Sequence, residues 1–324
     1  MVEASALILL VALVLDWFLG EPEIVWSRFP HPVVAFGKLV SLAEKNFNHA
    51  TDDPALQYRK GSLAIALLIG VALIAGAGLA LLTTILGPIG WVIEAAIVFV
   101  LLAQKSLYDH VSAVANGLRD GGIEGGRQAV AMIVGRDPDM LDETGICRAA
   151  IESLAENFSD GVVAPAFWYL VFGLPGIMVY KMINTADSMI AYRSEQYLWF
   201  GRTTAQIDDL ANWIPARLSA GLIAAGAGAK FGLSKSKYSF DMAMRDAGLH
   251  RSPNAGWPEG AIAGALDIAL GGPREYGDQS VAQSHINASG KADLRAEDIL
   301  RALEVFRFTC FALWAFVLII AILF

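Results

Sequence analysis

Charge is scarce in this chain. Only 17% of its 324 residues are Asp, Glu, Lys or Arg, against roughly 25% in soluble globular domains. Hydrophobic residues make up 55%, and the mean hydropathy is +0.49, so much of the chain has lipid rather than water as its solvent. The net charge of −8 argues against a nucleic-acid partner, whose phosphates call for a basic surface. Cysteine is nearly absent. Cys147 and Cys310 stand apart with no CxxC spacing, which excludes a disulfide framework or thiol redox motif and leaves both as small apolar filler. Five scattered histidines are too few for a zinc site. Neither GxxxxGK[ST] nor a GxGxxG following a strand occurs, so any nucleotide site is of another kind. A basic leader is missing too. Glu3 stands where Lys or Arg would precede a signal peptide, and residues 4–15 read as a retained first membrane helix.

What the chain does have is long apolar runs. A bilayer crossing needs about 17–25 such residues, and the candidates are 5–20, 62–86, 89–103, 162–183, 214–231 and 308–324. Asp16 and Glu94 are the charges within the shorter ones. The period is helical throughout, with no strand-rich region. The expected fold is an all-α polytopic integral membrane helical bundle, 1–324 forming one membrane-embedded catalytic domain. Its polar helical loops would be 21–61, 104–160, 184–213 and 232–305, with Asp137-Pro138 and Asp142 as helix caps in the second. Gly87-Pro88 is a tight turn that makes the second and third runs a helical hairpin. Gly70, Gly76, Gly78, Gly221, Gly226 and Gly228 fit close helix packing.

The positive-inside rule places 21–61 (Arg28, Lys38, Lys45, Arg59, Lys60), 104–160 and 232–305 in the cytoplasm. Two full crossings at 162–183 and 214–231 would then put 184–213 outside, away from the other polar groups. A break at Gly173-Leu174-Pro175-Gly176 would instead fold the fourth run back as a re-entrant hairpin, which is tolerated where protein buries it. The fifth run would likewise return to its starting side.

Carboxylates and amides crowd both ends of the fourth run, and such groups near lipid point to function. Glu152 and Glu156 share a helix face, and Asp160 joins them if the helix persists to Gly161. Lys181, Asn184, Asp187 and Ser188 fall on another face. Asp208, Asp209 and Asn212 form a DDxxN cluster. Such oxygen donors suit Mg²⁺, usually shared with substrate phosphates. Any one pair alone reads as a solvated helix face; three beside apolar runs do not. A basic, glycine-rich set follows: Arg251-Ser252-Pro253-Asn254-Ala255-Gly256-Trp257-Pro258-Glu259 opens an apolar helix that ends at Gly271-Gly272-Pro273-Arg274. Turns of this kind hold phosphate through backbone N–H groups and Arg, or serve as plain loops. Arg193, Arg217 and Arg245 suit phosphate or a buried carboxylate. His31, between two prolines, reads as a turn residue. Asn157-Phe158-Ser159 and Asn287-Ala288-Ser289 match a glycosylation pattern with no secretory context.

The chain resembles adenosylcobinamide-phosphate synthase, the membrane amide ligase family of late cobalamin biosynthesis. The resemblance rests on LDWFLGEP (15–22), FPHPV (29–33), ESLAENFSDGVVAPAFWY (152–169), YKMINTADSMIAYR (180–193), DDLANWIPAR (208–217), SPNAGWPEGAIAGAL (252–266) and LGGPREYG (270–277). It covers nearly the whole chain, and 278–300 carries nothing comparable. It implies an ATP-dependent amide bond between a propionate of adenosylcobyric acid and 1-amino-2-propanol or its O-phosphate. It also implies Mg²⁺ and a multi-pass protein of the cell membrane, with the site expected to face the cytoplasm. Other membrane-associated enzymes of the pathway, or a second copy of the chain, are compatible partners.

Residue chemistry, rather than the resemblance, distributes the roles. Glu152, Glu156, Asp187, Asp208 and Asp209 are metal-ligand candidates, and Glu152, Glu156, Asp187 and Glu259 are the catalytic candidates, with Glu259 as base. Lys181, Arg193, Arg217, Arg251 and Ser252 suit phosphate, while Asn157, Asn184, Asn212 and Asn254 orient phosphate or corrinoid amides. All are expected to converge at a bilayer boundary. Two rivals stand beside this. One is a Mg²⁺-dependent membrane prenyl or phospho-sugar transferase, compatible with NxxD at 184–187 but lacking a second DxxxD. The other is a non-catalytic corrinoid-binding or signalling protein, like a distant relative linked to β-lactamase induction, which would not need so many acid and amide clusters.

Overall fold

The computed structural model describes residues 2–20, 28, 31–134, 138–192, 194–272, 274–276, 279–281 and 284–324. Helices dominate: α1 (Val2–Leu19), α2 (Pro32–Phe47), α3 (Pro54–Ile85), α4 (Pro88–Val100), α5 (Gln104–Val130), α6 (Glu143–Phe158), α7 (Ala164–Ile190), α8 (Arg202–Ala211), α9 (Trp213–Phe231), α10 (Leu233–Asp246), α11 (Gly256–Leu266) and α12 (Ala296–Leu323). A π-helical turn, Ser159–Val163, joins α6 to α7. Four short strands, β1 (Leu270–Gly271), β2 (Arg274–Tyr276), β3 (Gln279–Val281) and β4 (His285–Ile286), pair antiparallel as β1–β4 and β2–β3. These strands leave the expected all-α class intact. Each is two or three residues long, too short for a period-2 pattern to stand out.

Four stretches are long and apolar enough to cross a membrane among the described residues: Pro54–Ile85, Pro88–Val130, Glu143–Ile190 and Ala296–Leu323. They take in the anticipated runs 89–103 and 162–183 whole and all but the last residue of 62–86 and 308–324. The runs 5–20 and 214–231 are helical as α1 and α9. The protein is thus an all-α membrane helical bundle. The chain divides into two compact units, Met1–Leu102, Ala164–Asn212 and Val317–Phe324 in one, and Ala103–Val163 and Trp213–Phe316 in the other.

The first unit is organised by reversals at glycine. At Gly173 the backbone takes φ 65° and ψ −149°, a conformation essentially closed to residues with a Cβ. Three residues on, a Cβ at Gly176 would lie 2.2 Å from the Trp168 carbonyl oxygen. Residues eight apart would be about 12 Å apart along a straight helix, so α7 folds back on itself at the anticipated break. Gly87 (φ 57°) turns α3 into α4 in the same way, with Gly90 against the Thr83 carbonyl, giving the expected hairpin. The same GxxG corner recurs in the second unit at Gly122 and Gly125. Gly76 packs on Pro175, whereas Gly70 and Gly78 face open space, so close packing does not account for those two.

Polar groups inside the apolar helices of this unit are matched. The Tyr169 hydroxyl donates to Glu94 Oε1 at 2.8 Å, and Thr83 donates to Oε2 at 3.3 Å. His31 caps α2 by accepting from the Val33 N–H, as a turn residue would. The 194–200 turn is tied to α2 through Glu44, which accepts from Gln196 and from the Tyr197 hydroxyl at 2.6 Å. That hydrogen bond to a carboxylate, followed by burial, pushes the Tyr197 phenol up to about 12.

In the second unit Asp142 caps α6, accepting from Gly145 N–H at 2.7 Å; Asp137 lies outside the described residues. Gly226 of α9 packs on Thr309 of α12 and Gly228 on Ser236, while Gly221 faces open space. The buried α11 lies on α10, with Gly260 against Ala243 and Gly264 against Met242 and Ser239. Asn287, fully buried at φ 51°, donates its amide to the carbonyls of Ala263 and Ile268. The 287–289 glycosylation pattern is therefore sequestered inside the fold.

Asp246 is the second anchor of this region. Its carboxylate accepts from Arg245 at 2.7 and 2.8 Å and from the Asn287 backbone N–H at 2.7 Å. The Arg245 hydrogen bonds, against opposition from burial, hold its pKa below the usual carboxylate range. A lowered folded-state pKa contributes stability above the unfolded value, about 4, and loses it as pH falls through the folded value. Asp246→Asn is expected to lower the melting temperature at neutral pH and to lessen its decline between about pH 5 and the acid limit. Melting curves of both proteins in detergent across that range check this; parallel curves would contradict it.

Candidate functional site

The sequence-selected residues divide between the two units. In the first, α7 and α8 meet through a buried polar chain. The Tyr180 hydroxyl donates to Asn212 Oδ1 at 2.9 Å, and Asn212 Nδ2 donates to Asp208 Oδ2 at 3.0 Å. Trp168 Nε1 donates to the Ala211 carbonyl at 3.1 Å, fastening the end of α8 to α7. Asp208 and Asn212 are four residues apart and share one helix face. Their immediate neighbour Asp209 points away and is exposed. Lys181, Asn184 and Asp187 are half-buried along α7, and Ser188 is exposed, its hydroxyl donating to the Asn184 carbonyl. Arg193 lies outside the described residues.

In the second unit Glu152 is buried, and its Oε1 accepts the Gly271 N–H at 2.7 Å. The carboxylate thereby reaches the glycine turn that closes the 252–274 segment. A Cβ at Gly272 would lie 2.2 Å from the His285 ring, so the backbone there is flush against the imidazole. Glu156 and Asn157 are exposed, and the Asn157 amide donates to Ser153. Helix does persist through Asp160, which lies in the π-turn and is half-buried.

The turn before α11 is built by two side chains. His250 Nδ1 accepts the Ser252 N–H at 3.0 Å, and Ser252 Oγ accepts the N–H groups of Asn254 and Ala255 at 3.2 and 3.3 Å. Glu259, 1% exposed, has its Oε1 3.7 Å from His250 Nε2. Asn254 is buried, while Arg251 is exposed. Arg217 lies between Trp213 and Trp257.

Sequence reasoning missed Tyr180, His250 and His285. Tyr180 passed as one more apolar residue before Lys181, and its only signal was the hydroxyl beside a polar face. His250 and His285 showed no motif spacing, since His250 works through the backbone of its own turn and His285 packs on Gly272.

Among the described residues no three His, Cys, Asp or Glu side chains gather as a metal cage. Magnesium rarely needs one: it usually takes one or two carboxylates and completes its shell with substrate phosphates and water. A buried carboxylate steadied by an amide at one oxygen, as at Asp208, fits that mode.

Fold and site define a class: a helical membrane protein with buried carboxylate–amide groups next to its apolar helices. The chain belongs to the CobD/CbiB protein family, whose sequence model matches residues 9–306. It is similar to cobalamin biosynthesis protein CobD of Sinorhizobium sp, 54% identical over the full length of both chains. It also resembles the proteins of that name from Brucella suis (52% identical, 94% of this chain and 93% of the relative) and Rhodobacter capsulatus (44% identical, 93% of each). No solved structure matches.

Proposed function

We propose that this protein is the ATP-dependent amide ligase of cobalamin biosynthesis that joins adenosylcobyric acid to 1-amino-2-propanol or its O-phosphate. The observation that carries the reading is the family match across residues 9–306, with relatives at 52–54% identity bearing the cobalamin biosynthesis name. The acid and amide chemistry of the site supports it.

A carboxylate resists attack by an amine until its oxygen becomes a leaving group. In the proposed reaction a corrinoid carboxylate oxygen takes the γ-phosphoryl group of ATP, with cleavage of the β–γ bond and release of ADP. The amine nitrogen then forms the C–N bond as the C–O bond to phosphate breaks, and its extra proton passes to a base. Glu259, held beside His250, is the proposed base, a carboxylate being able to take up that proton. Asp187, Asp208 and Asp209 in the first unit, and Glu152 and Glu156 in the second, are the proposed metal carboxylates. When bound, Mg²⁺ supplies neutralisation of phosphate charge. Asn212 and Tyr180 hold Asp208 in place, and Glu152 orients the turn at Gly271. Lys181, Arg193, Arg251 and Ser252 are the proposed contacts to the ATP phosphates, Arg217 is a proposed contact to a phosphate on the amine substrate, and Asn157, Asn184 and Asn254 are the proposed amide contacts to phosphate or corrinoid.

The test is incubation of the purified protein with adenosylcobyric acid, Mg²⁺-ATP and the amine or its phosphate. ADP is expected only when all are present; ADP release independent of the corrinoid, or none at all, would sink the reading. The site is further proposed to face the cytoplasm. Both native cysteines are buried, so a Glu195→Cys variant reports cleanly. It is expected to resist a membrane-impermeant maleimide added outside intact cells and to react after lysis; labelling from outside would place 184–213 on the far side.

A further inference from the structure

The Arg217 guanidinium in α9 lies over two indole rings. Its guanidinium carbon is 4.1 Å from the Trp213 ring centroid and 4.6 Å from that of Trp257. One NH1 hydrogen goes to the Trp213 carbonyl at 2.6 Å. That bond and the two ring contacts are its interactions among the described residues; no carboxylate lies within ion-pair distance. Some arginines of this unit pair with acids, Arg245 with Asp246, Arg295 with Glu143 and Asp293, and Arg301 with Asp298, whereas Arg217 meets two indole rings instead. A half-buried guanidinium without a counter-charge is electrostatically incomplete. The indoles offset part of this through cation–π attraction, and a guanidinium with a single N–H engaged retains donors of the kind that match phosphate oxygens two at a time.

We propose that the Trp213–Arg217–Trp257 stack is the receptor for the phosphate of the phosphorylated amine, so that Arg217 selects the phosphate ester over the free amino alcohol. This rests on the ligase reading. The stack offers one fixed cation and two apolar walls, a match for a single phosphate on a short aliphatic body. A metal-bound triphosphate needs several cations and metal carboxylates. A rotamer-locked guanidinium also differs from a headgroup anchor, in which a long side chain extends freely toward the lipid surface. Trp213 is 51% exposed and its neighbour Ile214 49%, so this end of the stack is open to a ligand. Trp213 and Trp257 are positioning residues, and Arg217 makes the contact.

Two measurements on the full-length protein test this. In the first, equilibrium dialysis with radiolabelled inorganic phosphate compares wild type, Arg217→Lys and Trp257→Phe in uncharged detergent. Each variant is first shown to be monodisperse, with a melting temperature near that of wild type. Saturable binding is expected in wild type, at least tenfold weaker in Arg217→Lys, because Lys keeps the charge but loses the fork. Equal binding by wild type and Arg217→Lys overturns the proposal. In the second, the ligase assay is expected to show the KM for 1-amino-2-propanol O-phosphate rising at least tenfold in Arg217→Lys. The KM values for ATP and for the free amino alcohol should stay within twofold. A rise confined to ATP overturns it. So does loss of phosphate binding when phosphatidylglycerol replaces phosphatidylcholine in nanodiscs, which would assign the stack to lipid headgroups. Arg217-dependent phosphate binding without amide formation by wild type would instead sink the ligase reading and leave the phosphate receptor standing.

Discussion

Asp208→Asn is expected to lower amide formation by about a hundredfold or more, the scale seen when a preorganised electrostatic contact to developing charge is removed, while leaving the fold intact. The substitution changes one atom and the charge. An asparagine oxygen still accepts from Asn212 Nδ2, so the Tyr180–Asn212–208 chain persists. What disappears is the anion through which the residue would engage magnesium and phosphate. Tyr180→Phe removes the far end of the same chain. It is expected to cost about tenfold, the lower range for residues that orient a ligand rather than act as one. Both variants should melt within a few degrees of wild type. Steady-state rates of ADP release with all substrates present check the pair; an Asp208→Asn protein within threefold of wild type would remove Asp208 from the scheme.

The second large effect falls on stability. Gly176→Val places a branched side chain where a Cβ alone would lie 2.2 Å from the Trp168 carbonyl oxygen and 2.8 Å from the Phe172 side chain. Neither obstacle moves cheaply, because one is backbone and the other belongs to the helix across the turn. Overpacking of this kind costs about 1–3 kcal/mol, and here it also forces the two arms of α7 apart. Tyr180 and Trp168 lie on those arms, so melting temperature and ligase rate should fall together. Gly173→Ala, by contrast, meets little in space but must adopt φ 65°, ψ −149°, at a strain of about 1–3 kcal/mol. Comparison with Gly70→Ala, where nothing lies within 4 Å, separates corner glycines from incidental ones; equal stability of all three variants would contradict the corner.

Much of the helical plan could be read from the linear chain because its signals are local. Apolar run length marks four membrane-length stretches, Gly-Pro marks the α3–α4 hairpin, and Asp142 and His31 announce helix starts through side-chain geometry within three residues. The site was legible in part. Asp208 and Asn212 were visible as a pair because four residues is one helical turn. Helical phase also separates Asp209 from them, though DDxxN invited all three to be grouped.

Other features were out of reach because they depend on contacts distant in sequence. Glu152 holds Gly271, 119 positions away. Tyr180 binds Asn212 across two helices, and Asn287 ties α11 to the strand region. The π-turn at Ser159–Val163, where α6 passes into α7, carries no local signal in the residues that form it.

By itself, then, the sequence determined the solvent of this protein, its helical class and its family. Those follow from hydropathy, period and long uninterrupted motifs, all properties of neighbouring residues. Only the tertiary structure decided which carboxylates are buried and what steadies them, and that Arg217 lies against two indole rings instead of an acid. Those outcomes are set by which groups meet after the chain has turned back at its glycine corners, and a hydrogen bond or ring contact exists only between atoms brought within a few ångströms of one another.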